Sequence, residues 1–215
     1  MGNDYENAEY AKDYALKVLH AYDSDAVGAY LGTYKGESAE SSIQTASFCD
    51  YIATDKNAQK VVIIGDKEAL FTARLLFFAP DRQVTAIYET DDDKDNAVLN
   101  IDAISSTSGI TAIDRFRAIK GKTADILPRL SDEEYDLLVT CSVGDYDAVL
   151  SNYERLLAPT GNLIVTAIFA EPDITNPVNR DALAVKKRNL LQHFVENSGS
   201  KRAELLAVGD GVLLV

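Results

Sequence analysis

From Lys60 onward the chain alternates short apolar runs with longer amphipathic stretches, and this alternation restricts the fold more than any other feature. The runs are "VVIIG" (61–65), "VTAIY" (84–88), "FRAIKG" (116–121), "YDLLVTC" (135–141) and "NLIVTAI" (162–168). They are rich in β-branched residues and lack strict in-out alternation, the pattern of strands buried on both faces. The segments between them, 67–78, 92–107, 123–130 and 146–157, read as helices. Strand–helix alternation of this kind predicts an α/β fold of three αβα layers, a mostly parallel, Rossmann-like sheet covered on both sides. The tail departs from it. After a helix predicted over about 180–198, "AELLAVGDGVLLV" (203–215) places two apolar runs around Gly209-Asp210-Gly211 and predicts an antiparallel hairpin. The sheet then has seven strands.

The N-terminal segment, 1–58, reads as a helical extension packed on a 59–215 core. "YENAEYAKDYALKVLHAY" spaces Tyr10, Tyr14, Val18 and Ala21 as one amphipathic stripe, and "SAESSIQTASFCDYIATD" carries Ile43, Phe48 and Ile52 inward. Tyr5, Tyr10, Tyr14, Tyr22, Tyr30 and Tyr34 read as a half-buried packing or dimer face rather than a ligand wall. A net charge of −13 opposes a nucleic-acid partner, because phosphates are repelled. The two cysteines, Cys49 and Cys141, have no metal-ligand spacing and point to a reducing compartment. No membrane-length apolar stretch or secretion signal is visible, so the expectation is a cytoplasmic protein.

In open α/β sheets ligands sit outside the carboxyl ends of the strands where strand order reverses, and the turn after "VVIIG" is the candidate. Gly65 permits a sharp turn and close backbone approach, and Asp66 reads as the N-cap of the next helix. A pyrophosphate there needs free amides and small residues; Asp66 and Glu68 would repel it, which disfavours a nucleotide-dependent oxidoreductase. Glu89 follows Gly65 by 24 residues, near the spacing at which an acid meets ribose hydroxyls. Its other reading is a member of a solvated acidic cluster, "ETDDDKD", that starts a helix.

Four stretches carry a family resemblance. They are "GKTADILPRLSDEEYDLLV" (121–139), "YERLLAPTGNLIV" (153–165), "ITNPVNRDALAVKKRN" (174–189) and the "ELLAVGDGVLLV" ending. From Val61 to the end the chain resembles the bacterial, including actinobacterial, metal-dependent catechol-type O-methyltransferases, which use S-adenosylmethionine and have the class I methyltransferase fold. A parallel sheet finished by an antiparallel hairpin is the layout that the resemblance implies. It also implies that Gly65, Asp66 and Glu89 border the cofactor, that Lys122 and Thr123 stand beside its adenine, and that the protein forms a homodimer.

The family's functional positions are altered. Where the family has an acid two residues before the first glycine this chain has Ile63, and Gly65-Asp66-Lys67-Glu68-Ala69 stands for Gly-x-Gly-x-Gly. After the fourth strand Cys141-Ser142-Val143-Gly144 replaces Asp-Ala-Asp-Lys, which removes a metal ligand and a candidate base. Thr166-Ala167 replaces the family's Asp-Asn ligand pair. A thiol, a hydroxyl and a methyl do not rebuild a Mg²⁺ site, which takes hard oxygen donors including carboxylates. Asp145, Asp147 and Glu154 read as exposed helix acids rather than replacement bases. The expectation is an adenosylmethionine-dependent O-methyltransferase acting on a small-molecule hydroxyl without a divalent metal. The alternative is an inactive methyltransferase-fold protein that serves as a ligand-binding or interaction module.

Overall fold

The structure, a computed structural model, describes residues 39–141, 145–196 and 202–215. The N-terminal tyrosine set and Gly144 lie outside the described residues. In chain order come α1 (Ala39–Asp55), β1 (Lys60–Ile64), α2 (Leu70–Phe77), β2 (Gln83–Tyr88) and α3 (Asp91–Ser108). A 3₁₀ turn (Ile113–Arg115) leads to β3 (Phe116–Lys120), followed by α4 (Thr123–Ile126), a second 3₁₀ turn (Leu127–Arg129) and β4 (Tyr135–Thr140). The remainder is α5 (Tyr146–Leu156), β5 (Leu157–Val165), α6 (Ala182–Glu196), β6 (Glu204–Leu206) and β7 (Val212–Leu214).

The seven strands run in the order β3-β2-β1-β4-β5-β7-β6. β1 pairs in parallel with β2 on one side and β4 on the other, so strand order reverses at β1. β7 inserts antiparallel beside β5 and pairs antiparallel with β6. The expected mostly parallel sheet with a terminal hairpin is therefore the observed one.

Both sheet faces are covered, as the unbroken apolar runs require. Val61, Ile63, Val84, Ala86, Leu137 and Val139 turn to the layer of α1, α2 and α3. Val62, Ile64, Ile87, Leu138, Leu163 and Val165 turn to the layer of α4, α5 and α6. Ile43 and Ile52 of α1 are buried in the first layer, and Phe48 is partly buried against it. An ion pair fixes α1 there. Arg82, 2% exposed, donates to Asp50 Oδ1 at 2.8 Å and to the carbonyls of Ala58 and Leu75.

Three boundaries differ from the sequence expectation. The helix expected from residue 67 starts at Leu70, because the chain first makes a tight turn and Ala69 takes a left-handed conformation (φ 58°). The helix expected over 123–130 is one α turn and one 3₁₀ turn, since Pro128 supplies no amide to continue it. β5 begins at Leu157 rather than Asn162, with a register shift between Tyr135 and Leu137 on its β4 partner.

The hairpin turn needs its last glycine. Gly211 has φ 88°, and a Cβ there would stand 2.3 Å from the Phe169 ring. Through this turn Ile168 N–H donates to Gly211 O and Phe169 N–H to Asp210 O, which ties the segment after β5 to the end of the chain.

Candidate functional site

A cleft opens outside the carboxyl ends of β1 and β2, at the point where strand order reverses. It encloses about 120 Å³, and Gly65, Lys67, Glu89, Thr123, Asp145 and Val149 are among its walls. Gly65 (φ 78°) ends β1, and its N–H donates to Ile87 O at 3.1 Å, so the backbone itself forms the floor. Glu89 is exposed and follows directly on β2. Thr90 beside it caps α3, its hydroxyl accepting from Asp93 N–H at 3.1 Å. Asp145 caps α5 by accepting from Ala148 N–H at 3.3 Å and also faces the cleft.

The cleft is acidic. Glu89, Asp93 and Asp145 face it with Lys67 as the one cation among its described walls. Lys67 reaches Asp93 only at 3.9 Å, a solvent-screened contact of small energy. Such a surface repels a pyrophosphate and attracts a ligand bearing positive charge. Glu68 is exposed and is not part of the described wall; its carbonyl accepts from Asn100.

Asp66 and Lys122 are not among the residues lining this cleft. Asp66 is 4% exposed and turns beneath the turn, where its carboxylate accepts from Thr72 N–H at 2.7 Å. It caps the first turn of α2 from outside the helix; the N-cap position itself belongs to Ala69, which has no side chain to offer. Burial raises the Asp66 pKa, opposed by the amides of Thr72, Phe71 and Leu70. Lys122 is exposed at the start of α4, while Thr123 is buried and faces the cleft.

The positions at which the resemblance implies metal ligands open into a separate small pocket of about 80 Å³. Cys141, Thr166, Ala167 and Asp210 line it together with Thr45 and Phe71. Burial pushes the Cys141 thiol up, and the neighbouring Asp66 adds to this, so it stays protonated at neutral pH. Thr166 Oγ1 donates to Thr140 O at 3.1 Å. One carboxylate, a neutral thiol and a hydroxyl do not satisfy Mg²⁺, which sheds its water reluctantly and favours carboxylate oxygen. The residues present do not fit the metal.

Two backbone features mark positions where the resemblance implies other residues. Ala69 stands where the family has its third glycine and Ala167 where it has an asparagine, the residue types that most readily adopt positive φ. Both alanines are left-handed, at φ 58° and 56°.

No protein-family model matches the chain. A candidate O-methyltransferase of Mycobacteroides abscessus is 34% identical over 100 residues, 46% of this chain and 46% of that protein. The chain thus matches under half the length of such relatives. A candidate caffeoyl-CoA O-methyltransferase from Staphylococcus aureus superimposes with a TM-score of 0.76 over 95% of this chain and 98% of its own, at 14% identity. The O-methyltransferase TomG from Streptomyces achromogenes, solved in complex with S-adenosylmethionine, gives 0.66 over 84% and 89%, at 16% identity. The chain has the Rossmann-like methyltransferase fold. Its resemblance to bacterial O-methyltransferases holds in sequence over the matched segment and in architecture over nearly the whole chain.

Sequence reasoning set Gly65, Asp66, Glu89, Lys122 and Thr123 beside the cofactor, of which Gly65, Glu89 and Thr123 line the cleft. It read Cys141, Thr166 and Ala167 as standing at the metal positions that the resemblance implies, and these line the second pocket. It does not find Asp210, because a turn aspartate carries no chemical signal until the turn is folded against β5. It also read Asp145 as only a helix acid, whereas the cap position aims it at the cleft.

Proposed function

We propose that this protein binds S-adenosylmethionine in the β1–β2 cleft and acts as a methyltransferase on a small-molecule hydroxyl without a divalent metal. The acidity of the cleft supports this reading most: Glu89, Asp93 and Asp145 suit a ligand carrying a sulfonium and an ammonium, and oppose a dinucleotide. Glu89 is positioned to accept from ribose hydroxyls, and Thr123 and Val149 to border the adenine. Adenosylmethionine would supply the electrophilic methyl group, and the chain's own contribution would be positioning and exclusion of water.

The enclosed space, about 120 Å³, is smaller than the roughly 300–1,000 Å³ of small-molecule sites. Entry therefore requires the cleft to widen, which we assign to an outward swing of Lys67, held among the described residues by the long contact to Asp93. Two variants test this by equilibrium titration with adenosylmethionine. Glu89→Gln weakens binding about tenfold, the effect of one lost charge-assisted hydrogen bond. Lys67→Ala tightens it severalfold. Unchanged affinity in Glu89→Gln, or weaker binding in Lys67→Ala, contradicts the assignment. Homodimer formation is proposed on the family resemblance alone, and sedimentation tests it.

A further inference from the structure

The crossover from β3 to β4 contains one α turn and one 3₁₀ turn, where a layered α/β fold normally places a longer helix. It leaves part of the sheet open near the amino ends of β2 and β3, the end opposite to the cleft described above. Thr85 is only partly buried there and Arg117 is exposed. A recess of about 400 Å³ results, larger than either space at the carboxyl ends.

Its charges are unevenly committed. Lys60 Nζ is paired with Glu134 Oε1 at 2.6 Å, and the Glu134 pKa is lowered by that bond and by Ser131. Arg115 is anchored, donating to the carbonyls of Leu76, Ala79 and Arg82. Arg117 forms no ion pair among the described residues, although its fork of donors stands at the recess. Tyr135 is 7% exposed, lines the recess, and lies within electrostatic reach of Glu134, Arg117 and Lys60. Among the described residues its hydroxyl has no hydrogen-bond partner. The ring is buried but the hydroxyl is not sealed from solvent, so it stands open to a ligand that enters the recess.

We infer that this recess is a second binding site, for a small polar monocarboxylate such as a hydroxy acid, held by the Arg117 guanidinium and the Tyr135 hydroxyl. Lys60, Arg115 and Arg117 against Asp114 and Glu134 leave one net positive charge, matched to a single carboxylate. A guanidinium fork takes a carboxylate through two parallel hydrogen bonds, and the neutral phenol adds a third donor. Glu134 and Asp114 accept from hydroxyls on the rest of the ligand. The walls are mainly polar, which disfavours an apolar body.

Titration of the ¹⁵N-labelled full chain with gluconate, followed through amide shifts, tests the site, with sorbitol as the neutral counterpart and inorganic phosphate as the rival anion. Gluconate is expected to shift the amides of Thr85, Arg117 and Tyr135 saturably, at about millimolar affinity, while those of Gly65 and Glu89 stay still. Arg117→Gln and Tyr135→Phe are each expected to weaken this by about tenfold. Arg117 is exposed, so its variant retains the fold, which the same spectra verify. Equal shifts with sorbitol, tighter binding of phosphate than of gluconate, or undiminished binding in Arg117→Gln would each overturn the inference.

Discussion

Replacing Ala167 by glycine is expected to stabilise this protein, although it deletes a methyl group. At φ 56° the Cβ of Ala167 sits in the left-handed region, which costs an L-residue about 1–2 kcal/mol. Glycine removes that strain but adds about 0.4–1 kcal/mol of unfolded-state entropy. Ala167 is partly exposed, so little apolar burial is lost, and the net gain is about 0.5–1 kcal/mol. Ala69 has the same conformation but is fully buried. Losing its methyl costs a further 0.8 kcal/mol or about that, so Ala69→Gly comes out near zero. Ala97, a buried residue of α3, serves as reference: its glycine variant loses both helix propensity and burial, at least about 1.5 kcal/mol. Urea denaturation with an unchanged m-value ranks the three. The order Ala167→Gly above Ala69→Gly above Ala97→Gly is required. If Ala167→Gly falls as far as Ala97→Gly, the backbone at 167 is not left-handed, and the account of this loop fails. Ala167→Asn, which tolerates that conformation, should also at least match wild type.

Two other perturbations probe what supports the cleft. Arg82→Met leaves the Asp50 carboxylate buried without its 2.8 Å partner. Arg74 Nε still stands 3.8 Å from the other carboxylate oxygen, so the cost should fall at or below the lower end of the roughly 3–5 kcal/mol of a broken buried pair, read as a lower urea midpoint. The Asp66 pKa is raised in the fold, chiefly by burial, so the native state holds this proton more readily than the unfolded chain. The stability this contributes is present below the unfolded carboxyl pKa and is lost as pH rises through the folded one. Asp66→Asn removes that dependence. The stability of wild type relative to the variant should fall as pH rises from about 4, and a relative stability that rises instead would contradict the burial argument.

Much of the architecture was legible because it follows from patterns local in sequence. "VVIIG" and "YDLLVTC" are apolar on both faces and admit only a covered parallel sheet, and two apolar runs around Gly-Asp-Gly admit only a hairpin. Boundaries failed where tertiary geometry overrode local preference, as at Ala69, which turns left-handed before α2 can begin. Residues of the cleft wall were legible when a strand end fixed them, as with Gly65 and Glu89. Asp66 was not, because whether an acid after a strand faces ligand or core depends on the amides waiting beneath it. Tyr135 and Arg117 were not either, since an open sheet face shows only after a crossover proves too short to cover it.

The central claim is that the cofactor cleft persists while the divalent-metal site beside it does not. Calorimetric titration of the protein with S-adenosylmethionine, in magnesium and again in chelator, tests it most directly. The account predicts micromolar binding of the same strength in both conditions. No heat at millimolar ligand, or binding that appears only with magnesium, would contradict it.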